Sequence, residues 1–368
     1  MSKKVVLVVD WLDKYGGAER VLTSLNNVFK FCSCYTLINV MSKKDIRKIA
    51  VDDTNITIHQ TILKYTGKKF RAFLFFFPRL MNTLHVDEDA DVIISSSHAV
   101  AKAINKTNNK QLHISYFQAR NLKYIWCDYK LYFKWTSKIL YPIIKELRKR
   151  DIADAQKPDY IISNSYFVKD WVKKIYNRDS VVIYPPVDLS LFSLNEAKND
   201  YYVTVGRIEP YKRFDIVIDA FNKIENKKLI VIGDGSQLKE LKKKANANIT
   251  FLGFLESNEV YNNIKNAKGF IHAGIEDFGI APIEAQACGT PIIAYGAGGV
   301  LETVIEGETG VFFRDLSSSS LINAINECET INFNYSLVRK NALRFSLERF
   351  ENDIEHFVNE KYSNYSKL

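Results

Sequence analysis

The sequence predicts an α/β protein made of two units in series, each a parallel sheet covered by helices. Three observations carry this. Short β-branched runs alternate with helical stretches. The alternation runs through the first half and restarts near residue 200. Between the halves stands Pro185-Pro186, where a strand ends and no helix can continue. Strands alternating with helices are the signature of parallel sheets.

Taken in order, Val5–Val9 reads as the first strand, and Glu19–Phe29 as a helix with Val21, Leu22, Leu25 and Val28 on one face. Val92–Ser95, Leu112–Tyr116, Tyr160–Ser163 and Val181–Tyr184 read as further buried strands. In the second half Tyr202–Val205, Lys228–Ile232, Ile249–Phe251, Gly269–His272 and Pro291–Ala294 are strand candidates. The last helical pattern, Arg344 to Tyr362, carries Phe345, Phe350, Ile354 and Phe357. The expected divisions are 1–185, 186–345 and a terminal helix over 346–368 that packs back on the first unit.

Composition agrees with this reading. The 368 residues are too many for one ordinary domain and suit two. Hydrophobic residues make up 46% and charged residues 25%, as in a globular protein with a core in each half. The five cysteines include no CxxC pair, so they are read as reduced thiols in a cytoplasmic protein without a structural metal. Lys3 and Lys4 precede an apolar run too short for a signal peptide, and no run is long enough to cross a bilayer. The net charge of +9 admits nucleic acid, an anionic membrane or a phosphorylated substrate as partner. Its spread along the chain weighs against nucleic acid.

Four segments have the chemistry of a binding site. Gly16-Gly17-Ala18-Glu19-Arg20 opens a helix after the first strand. Paired glycines allow close backbone approach, and helix N–H groups attract anions. It is neither a P-loop nor GxGxxG, and taken alone it reads first as an ordinary glycine turn and second as a phosphate contact. Gly206-Arg207-Ile208-Glu209-Pro210-Tyr211-Lys212-Arg213 follows a strand directly, where α/β proteins bind ligands. Arg207 and Lys212 can reach a diphosphate there, although a solvated basic loop would look the same. Glu276-Asp277-Phe278-Gly279-Ile280-Ala281-Pro282-Ile283-Glu284 is the strongest segment. Pro282 suits the first helical position, and the N–H groups from Gly279 to Ile283 with the helix dipole would cradle a leaving diphosphate. Tyr295-Gly296-Ala297-Gly298-Gly299-Val300-Leu301-Glu302 repeats the strand–glycine–helix plan.

These segments, in this order, resemble glycosyltransferase family 4, retaining enzymes of the GT-B fold. Ser96-Ser97-His98-Ala99-Val100-Ala101-Lys102 and Asn164-Ser165-Tyr166-Phe167-Val168 are most similar to bacterial O-antigen and polysaccharide mannosyltransferases. The resemblance implies two Rossmann-like domains facing across a cleft, with the nucleotide sugar on the second and the acceptor on the first. Arg207 and Lys212 would neutralise the donor diphosphate. Glu276 would sit near the reacting carbon, the N–H groups of Phe278, Gly279 and Ile280 would hold sugar hydroxyls, and Glu284 would hold the ribose. Gly253 and Phe254 would meet the base, and Gly16 and Gly17 would close over the phosphates. The donor would be a nucleotide-diphosphate sugar, first GDP-mannose, with no other cofactor. The acceptor would be a saccharide or a lipid-linked saccharide. Where related mannosyltransferases carry a His beside the donor sugar, this chain has Gln118, which cannot take up a proton at neutral pH. His98 and His113 are nearby alternatives, His113 as a packed strand residue.

Two acidic runs, Asp87-Glu88-Asp89 and Asp52-Asp53, read as solvated loops rather than a magnesium site. Lys64 to Leu84 interleaves Lys68, Lys69, Arg71 and Arg79 with Phe70, Phe73, Phe75, Phe76 and Phe77. That suits the inner membrane surface, or equally a buried helix with a basic outer face. Competing functions are an epimerase or phosphorylase of the same fold, a basic nucleic-acid-binding protein, and a nicotinamide-dependent oxidoreductase, for which GxGxxG is missing.

Overall fold

The alternating runs form two parallel sheets in a computed structural model, which describes residues 3–50, 56–127, 129 and 137–366. Asp52 and Asp53 lie outside the described residues. The chain divides into two compact units. The first comprises residues 1–186 and 348–368, the second 187–347.

The first unit contains β1 (Val5–Val9), β2 (Ser33–Thr36), β3 (Thr57–Gln60), β4 (Val92–Ser97), β5 (Leu112–Phe117), β6 (Tyr160–Ser163) and β7 (Val181–Val182). Their order across the sheet is β3-β2-β1-β4-β5-β6-β7, all parallel. Leu7 of β1 lies level with Cys34 on one side and Ile94 on the other. Side chains alternate between faces along a strand, so β1 feeds two cores. Val5, Leu7 and Val9 pack with Val21, Leu22 and Leu25 of the helix Gly17–Phe29. Val6 and Val8 pack on the other face with Phe70, Phe77, Met81 and Ile144. Burial on both faces explains why β1 reads as an unbroken apolar run.

The terminal helix spans Leu347–Tyr365, and its Phe350, Ile354, Phe357 and Val358 complete the first of these cores. Phe345 departs from the expected pattern. It precedes the helix and stays with the second unit, its ring 5.5 Å from Phe278 and its carbonyl accepting the Val187 N–H at 2.8 Å.

The second unit contains β8 (Asn199–Val205), β9 (Leu229–Ile232), β10 (Ile249–Gly253), β11 (Ala267–His272), β12 (Ile292–Tyr295) and β13 (Gly310–Phe313). The order is β10-β9-β8-β11-β12-β13, again all parallel. Its core joins Tyr202, Phe214, Val217, Phe221, Val231, Ile271, Ile293 and Phe313.

Beneath the loop after β4, a charged pair is enclosed. Lys102 Nζ lies 2.7 Å from Asp151 Oδ1, each side chain 1% exposed. Trp126 Nε1 (2.7 Å) and the Tyr176 hydroxyl (2.6 Å) both donate to the other Asp151 oxygen. The Lys102 ammonium also donates to the Ala99 carbonyl at 2.6 Å, and the rings of Phe117 and Tyr176 flank it at 6.0 and 5.7 Å. Removing one partner of such a pair strands a buried charge, whereas replacing both by apolar groups is often neutral. Asp151→Ala is therefore expected to cost about 3–5 kcal/mol in urea unfolding, and Lys102→Met/Asp151→Leu to recover most of it. Equal losses in both proteins would show that the pair's own attraction, not a stranded ion, sets the cost.

Candidate functional site

Strand order reverses between β1 and β4 in the first unit and between β8 and β11 in the second. Ligands of open α/β sheets bind at the carboxyl ends of strands at such a point. Most of the singled-out residues lie at one of these two places.

In the second unit, β8 runs into Gly206 and Arg207, and a short turn Pro210–Lys212 follows. Arg207 is exposed, and its guanidinium and the Lys212 ammonium lie 5.9 and 5.8 Å from the Tyr211 ring. From the neighbouring strand β11, the chain passes His272 and Gly274 to Glu276. The carboxylate of Glu276 forms an ion pair with Lys212. A Cβ at Gly274 would stand 3.1 Å from the Lys212 Cα, so a glycine lets the two loops approach. Arg213, with φ +57°, turns away and binds Asp215 through two N–H groups at 3.0 and 2.9 Å. Of the cations in this segment, Lys212 pairs with the Glu276 loop, Arg207 stands near the same Tyr211 ring, and Arg213 is taken by Asp215.

The glycines of Tyr295–Glu302 support the same cluster. Gly299 donates its N–H to the Glu276 carbonyl at 2.8 Å. A Cβ on Gly299 would lie 2.4 Å from Phe278 Cα, and one on Gly298 (φ +83°) 2.5 Å from the Glu276 oxygen. Only a backbone without side chains passes this closely.

Gly279 (φ +93°) caps the helix Ile280–Ala287. This corrects the expected start. Pro282 is the third helical residue, not the first, and Glu284 lies in the second turn. Proline is tolerated there because the first four N–H groups of a helix have no intrahelical partner. Pro282 itself offers no N–H and Ile283 is the first residue placed to bond within the helix, to the Gly279 carbonyl, so the cradle reduces to Gly279, Ile280 and Ala281. Phe278 is buried against Phe345 rather than turned outward.

His272, at the end of β11, is buried with Nε2 lacking a hydrogen-bond partner. Burial, and then the Lys212 charge, push its imidazole down to about 3, so it stays neutral. Sequence reasoning had placed it only as a strand end. Gly253 (φ +71°) ends the edge strand β10, and Phe254 beyond it is 76% exposed.

In the first unit, Gly16 caps the helix Gly17–Phe29, and its own N–H donates to the Glu19 carboxylate at 3.0 Å. The N-terminus of this helix thus already holds a carboxylate of its own, which burial pushes above its ordinary value. Gln118, directly after β5, donates from its amide to Ser96 Oγ (2.8 Å) and to the Ala18 carbonyl (3.4 Å). It therefore ties the Gly16–Gly17 segment to the end of β4. His98 follows β4, and its Nδ1 lies 3.0 Å from Asp10 Oδ2. Asp10 directly follows β1 and is not singled out by any motif of the sequence. It is 1% exposed and is the centre of this cluster. His113 is buried in β5 with Nε2 2.8 Å from Ser95 Oγ, and desolvation lowers it to about 3.

The acidic run at Asp87 is not a plain solvated loop. Asp87 accepts from Tyr35 (2.6 Å) and Ser33 (3.0 Å) and pairs with Lys4, while Glu88 and Asp89 are exposed. Among the described residues, no three His, Cys, Asp or Glu side chains gather as a metal site. No described helix is long and apolar enough to cross a membrane. Between Gly67 and Met81 the basic-aromatic segment is split. Phe70 and Phe77 enter the core, while Phe73 and Phe76 are exposed beside Lys68, Lys69 and Arg71.

Residues 190–343 match the sequence model of the family described as Glycosyl transferases group 1. The chain is 31% identical over 175 residues to an uncharacterized glycosyltransferase of Methanocaldococcus jannaschii, covering 46% of this chain and 49% of that one. It is 32% identical over 150 residues to an O-antigen chain mannosyltransferase of Salmonella typhimurium, covering 36% and 41%. The chain thus spans about half the length of the curated relatives it matches or less. The crystal structure of HepE of Anabaena in complex with UDP superposes with a TM-score of 0.72 at 19% identity, covering 97% of this chain and 100% of that one. The fold is the GT-B glycosyltransferase fold.

The glycine contacts make a sharp expectation. Gly299→Ala must push Asp277 and Phe278, both backbone-crowded. Such overpacking costs about 1–3 kcal/mol. A lowered Tm with displaced loops 274–279 in a crystal structure of the variant is the expected result, and an unchanged Tm would contradict the close approach.

Proposed function

We propose that this protein is a retaining, metal-independent glycosyltransferase that takes a hexose from a nucleotide-diphosphate sugar, with mannose from GDP-mannose the first choice, and passes it to a saccharide or lipid-linked saccharide. The observation that carries the reading is the meeting of Lys212 and Glu276 at the β8/β11 reversal, beside Arg207 and the start of the helix Ile280–Ala287. The family match over 190–343 supports it, and so do the relatives, one of which is a mannosyltransferase. HepE binds UDP on the same fold.

In this reading the bond from the anomeric carbon to the diphosphate breaks with its electron pair on the phosphate oxygen, the acceptor hydroxyl oxygen bonds to that carbon from the same face, and its proton passes to the departing diphosphate. Arg207, Lys212 and helix N–H groups stabilise that growing charge, as preorganised donors do in other sites. Before donor binds, Glu276 neutralises Lys212. A diphosphate takes over that partnership and leaves the Glu276 carboxylate to the electron-poor sugar. His272, held neutral beneath, adds no competing positive charge.

The exposed Ile62, Tyr65, Phe73 and Phe76, with Lys64, Lys68, Lys69 and Arg71, suit attachment to an anionic membrane face, where a lipid-linked acceptor would reside. Flotation with vesicles containing anionic lipid at low salt should carry the protein, and Phe73→Ser/Phe76→Ser should leave it behind. Wild-type protein that fails to float removes this part of the proposal.

The donor site is tested by thermal shift with GDP, UDP, ADP and CDP, each with and without EDTA. A ligand at 100 times its dissociation constant adds about 2.7 kcal/mol to stability. One diphosphate should raise Tm independently of EDTA. Arg207→Ala and Lys212→Ala should lower turnover of the matching nucleotide sugar about 100-fold or more, on the order of 3 kcal/mol. No shift with any diphosphate, or near-normal turnover in both variants, would refute the site.

A further inference from the structure

His272 is the last residue of β11, level with Ala294 of β12 and shortly ahead of Glu276. Side chains alternate between the faces of a strand. Ile271 lies in the core with Phe214 and Phe221. His272 therefore turns to the other face, the one on which the helix Ile280–Ala287 packs against β11 and β12.

Its two ring nitrogens are in different situations. One bonds the Gly274 backbone, a contact that favours the protonated ring and so runs from a ring N–H to the carbonyl. The other, Nε2, is buried and has no hydrogen-bond partner among the described residues. The N–H therefore sits on Nδ1, and Nε2 is a bare acceptor. Protonation does not relieve it, because burial and then the Lys212 charge push the imidazole down to about 3. A buried acceptor without a donor costs free energy in the folded protein. An apolar ring of similar size would fill the position without that cost. His113 also has an unpaired buried nitrogen, but it stands at the amino end of β5, away from the strand ends where ligands bind. His272 stands at a carboxyl end, beside the strand-order reversal.

It also adjoins the Lys212–Glu276 pair. Gly274, which holds its Nδ1, comes so near Lys212 that a Cβ would lie 3.1 Å from the Lys212 Cα. Glu276 on the same loop pairs with Lys212, and the two side chains are 19% and 24% exposed, so this closure is made by side chains that can move.

The missing donor restricts the ligand. A diphosphate at neutral pH offers acceptors only. A base at Gly253 and Phe254 would lie at the edge strand β10, beyond β8 and β9. The hydrogen-bond donors that arrive next to a diphosphate are the hydroxyls of the sugar it carries. We infer that His272 is a specificity residue of the donor site, its Nε2 accepting a hydrogen bond from one hydroxyl of the transferred sugar. This rests on the glycosyltransferase reading above and deepens it. As the diphosphate draws Lys212 from Glu276, the pair opens and the sugar reaches the imidazole. A sugar lacking that hydroxyl leaves Nε2 unpaired, which is how a hydrogen-bonding site rejects an analogue.

The test uses the full chain with bare GDP and UDP and with their mannose, glucose, galactose and N-acetylglucosamine derivatives, and Kd is measured by calorimetric titration. His272→Phe should bind the bare diphosphate within about twofold of wild type and the preferred nucleotide sugar about tenfold or more weakly. His272→Gln, whose carbonyl still accepts, should recover most of the loss. Monodeoxy forms of the preferred donor should identify one hydroxyl whose removal weakens wild type but not His272→Phe. Nitrogen NMR of histidine-labelled wild type reads the contact without any substitution. The Nε2 resonance of His272 should move upfield, as an unprotonated ring nitrogen does on accepting a hydrogen bond, with the nucleotide sugar and not with the bare diphosphate. If His272→Phe weakens diphosphate and nucleotide sugar alike, if no hydroxyl shows that coupling, or if the Nε2 resonance ignores the sugar, His272 is a packing residue and the proposed activity stands. If wild type binds none of the nucleotide sugars, the glycosyltransferase reading fails and this inference falls with it.

Discussion

The constraint on which both units depend is the direction of their crossovers. Parallel strands are joined right-handedly, so where strand order reverses, successive connections leave for opposite faces of the sheet. Between β1 and β4, and again between β8 and β11, this parts the loops and leaves strand ends open. Every loop that reaches these openings starts from a strand fixed on both sides by hydrogen bonds. The chemistry is carried by loops, but their first residues inherit the rigidity of the sheet. Asp10, His98, Arg207 and His272 each stand within two residues of a strand end.

The two openings are stabilised by different means. In the second unit the loops are drawn together by glycines. Gly274, Gly298 and Gly299 allow backbone to pass within contact distance of backbone, and the resulting cluster is closed by one ion pair between Lys212 and Glu276. That pair is only partly enclosed, so its net contribution to folding is small. Its consequence is electrostatic: it stores a cation and a carboxylate at one point, each ready for a different partner. In the first unit the loop after β4 is held by charge instead. A buried carboxylate draws four N–H groups to itself, and a buried ammonium holds the carbonyl below.

The parts of the fold that were legible in the sequence are the doubly buried strands. β1 is apolar and β-branched on both faces, and β4, β5 and β6 each contain an apolar stretch (Val92–Ile94, Leu112 with Ile114, Tyr160–Ile162) that stands out. β2, with its Ser-Cys-Tyr-Thr, and the edge strand β3, with Thr-Ile-His-Gln, are short and largely polar and lack that signal. β13 is four residues following a glycine turn, and its burial comes from β12 and the helix Ser318–Thr330, which no local pattern shows. Phe345 illustrates the converse error. Its spacing fits the terminal helix, yet tertiary contact with Phe278 claims it for the other unit.

The candidate site was legible where its residues are close in sequence and not where they are brought together by topology. Glu276 to Glu284 announces itself in nine residues, and even there the helix began two residues before its proline. Asp10 and His98 are 88 residues apart, and nothing local in Val-Asp-Trp hints at a partner. What could have found them is the combination of topology and position: a lone carboxylate at the carboxyl end of a fully buried strand, and a histidine at the same place on another. A buried carboxylate must find donors or give up its charge. With β1 and β4 adjacent, the loop after β4 supplies the nearest N–H groups, so an aspartate at position 10 and a tightly turned loop at 98–101 require each other.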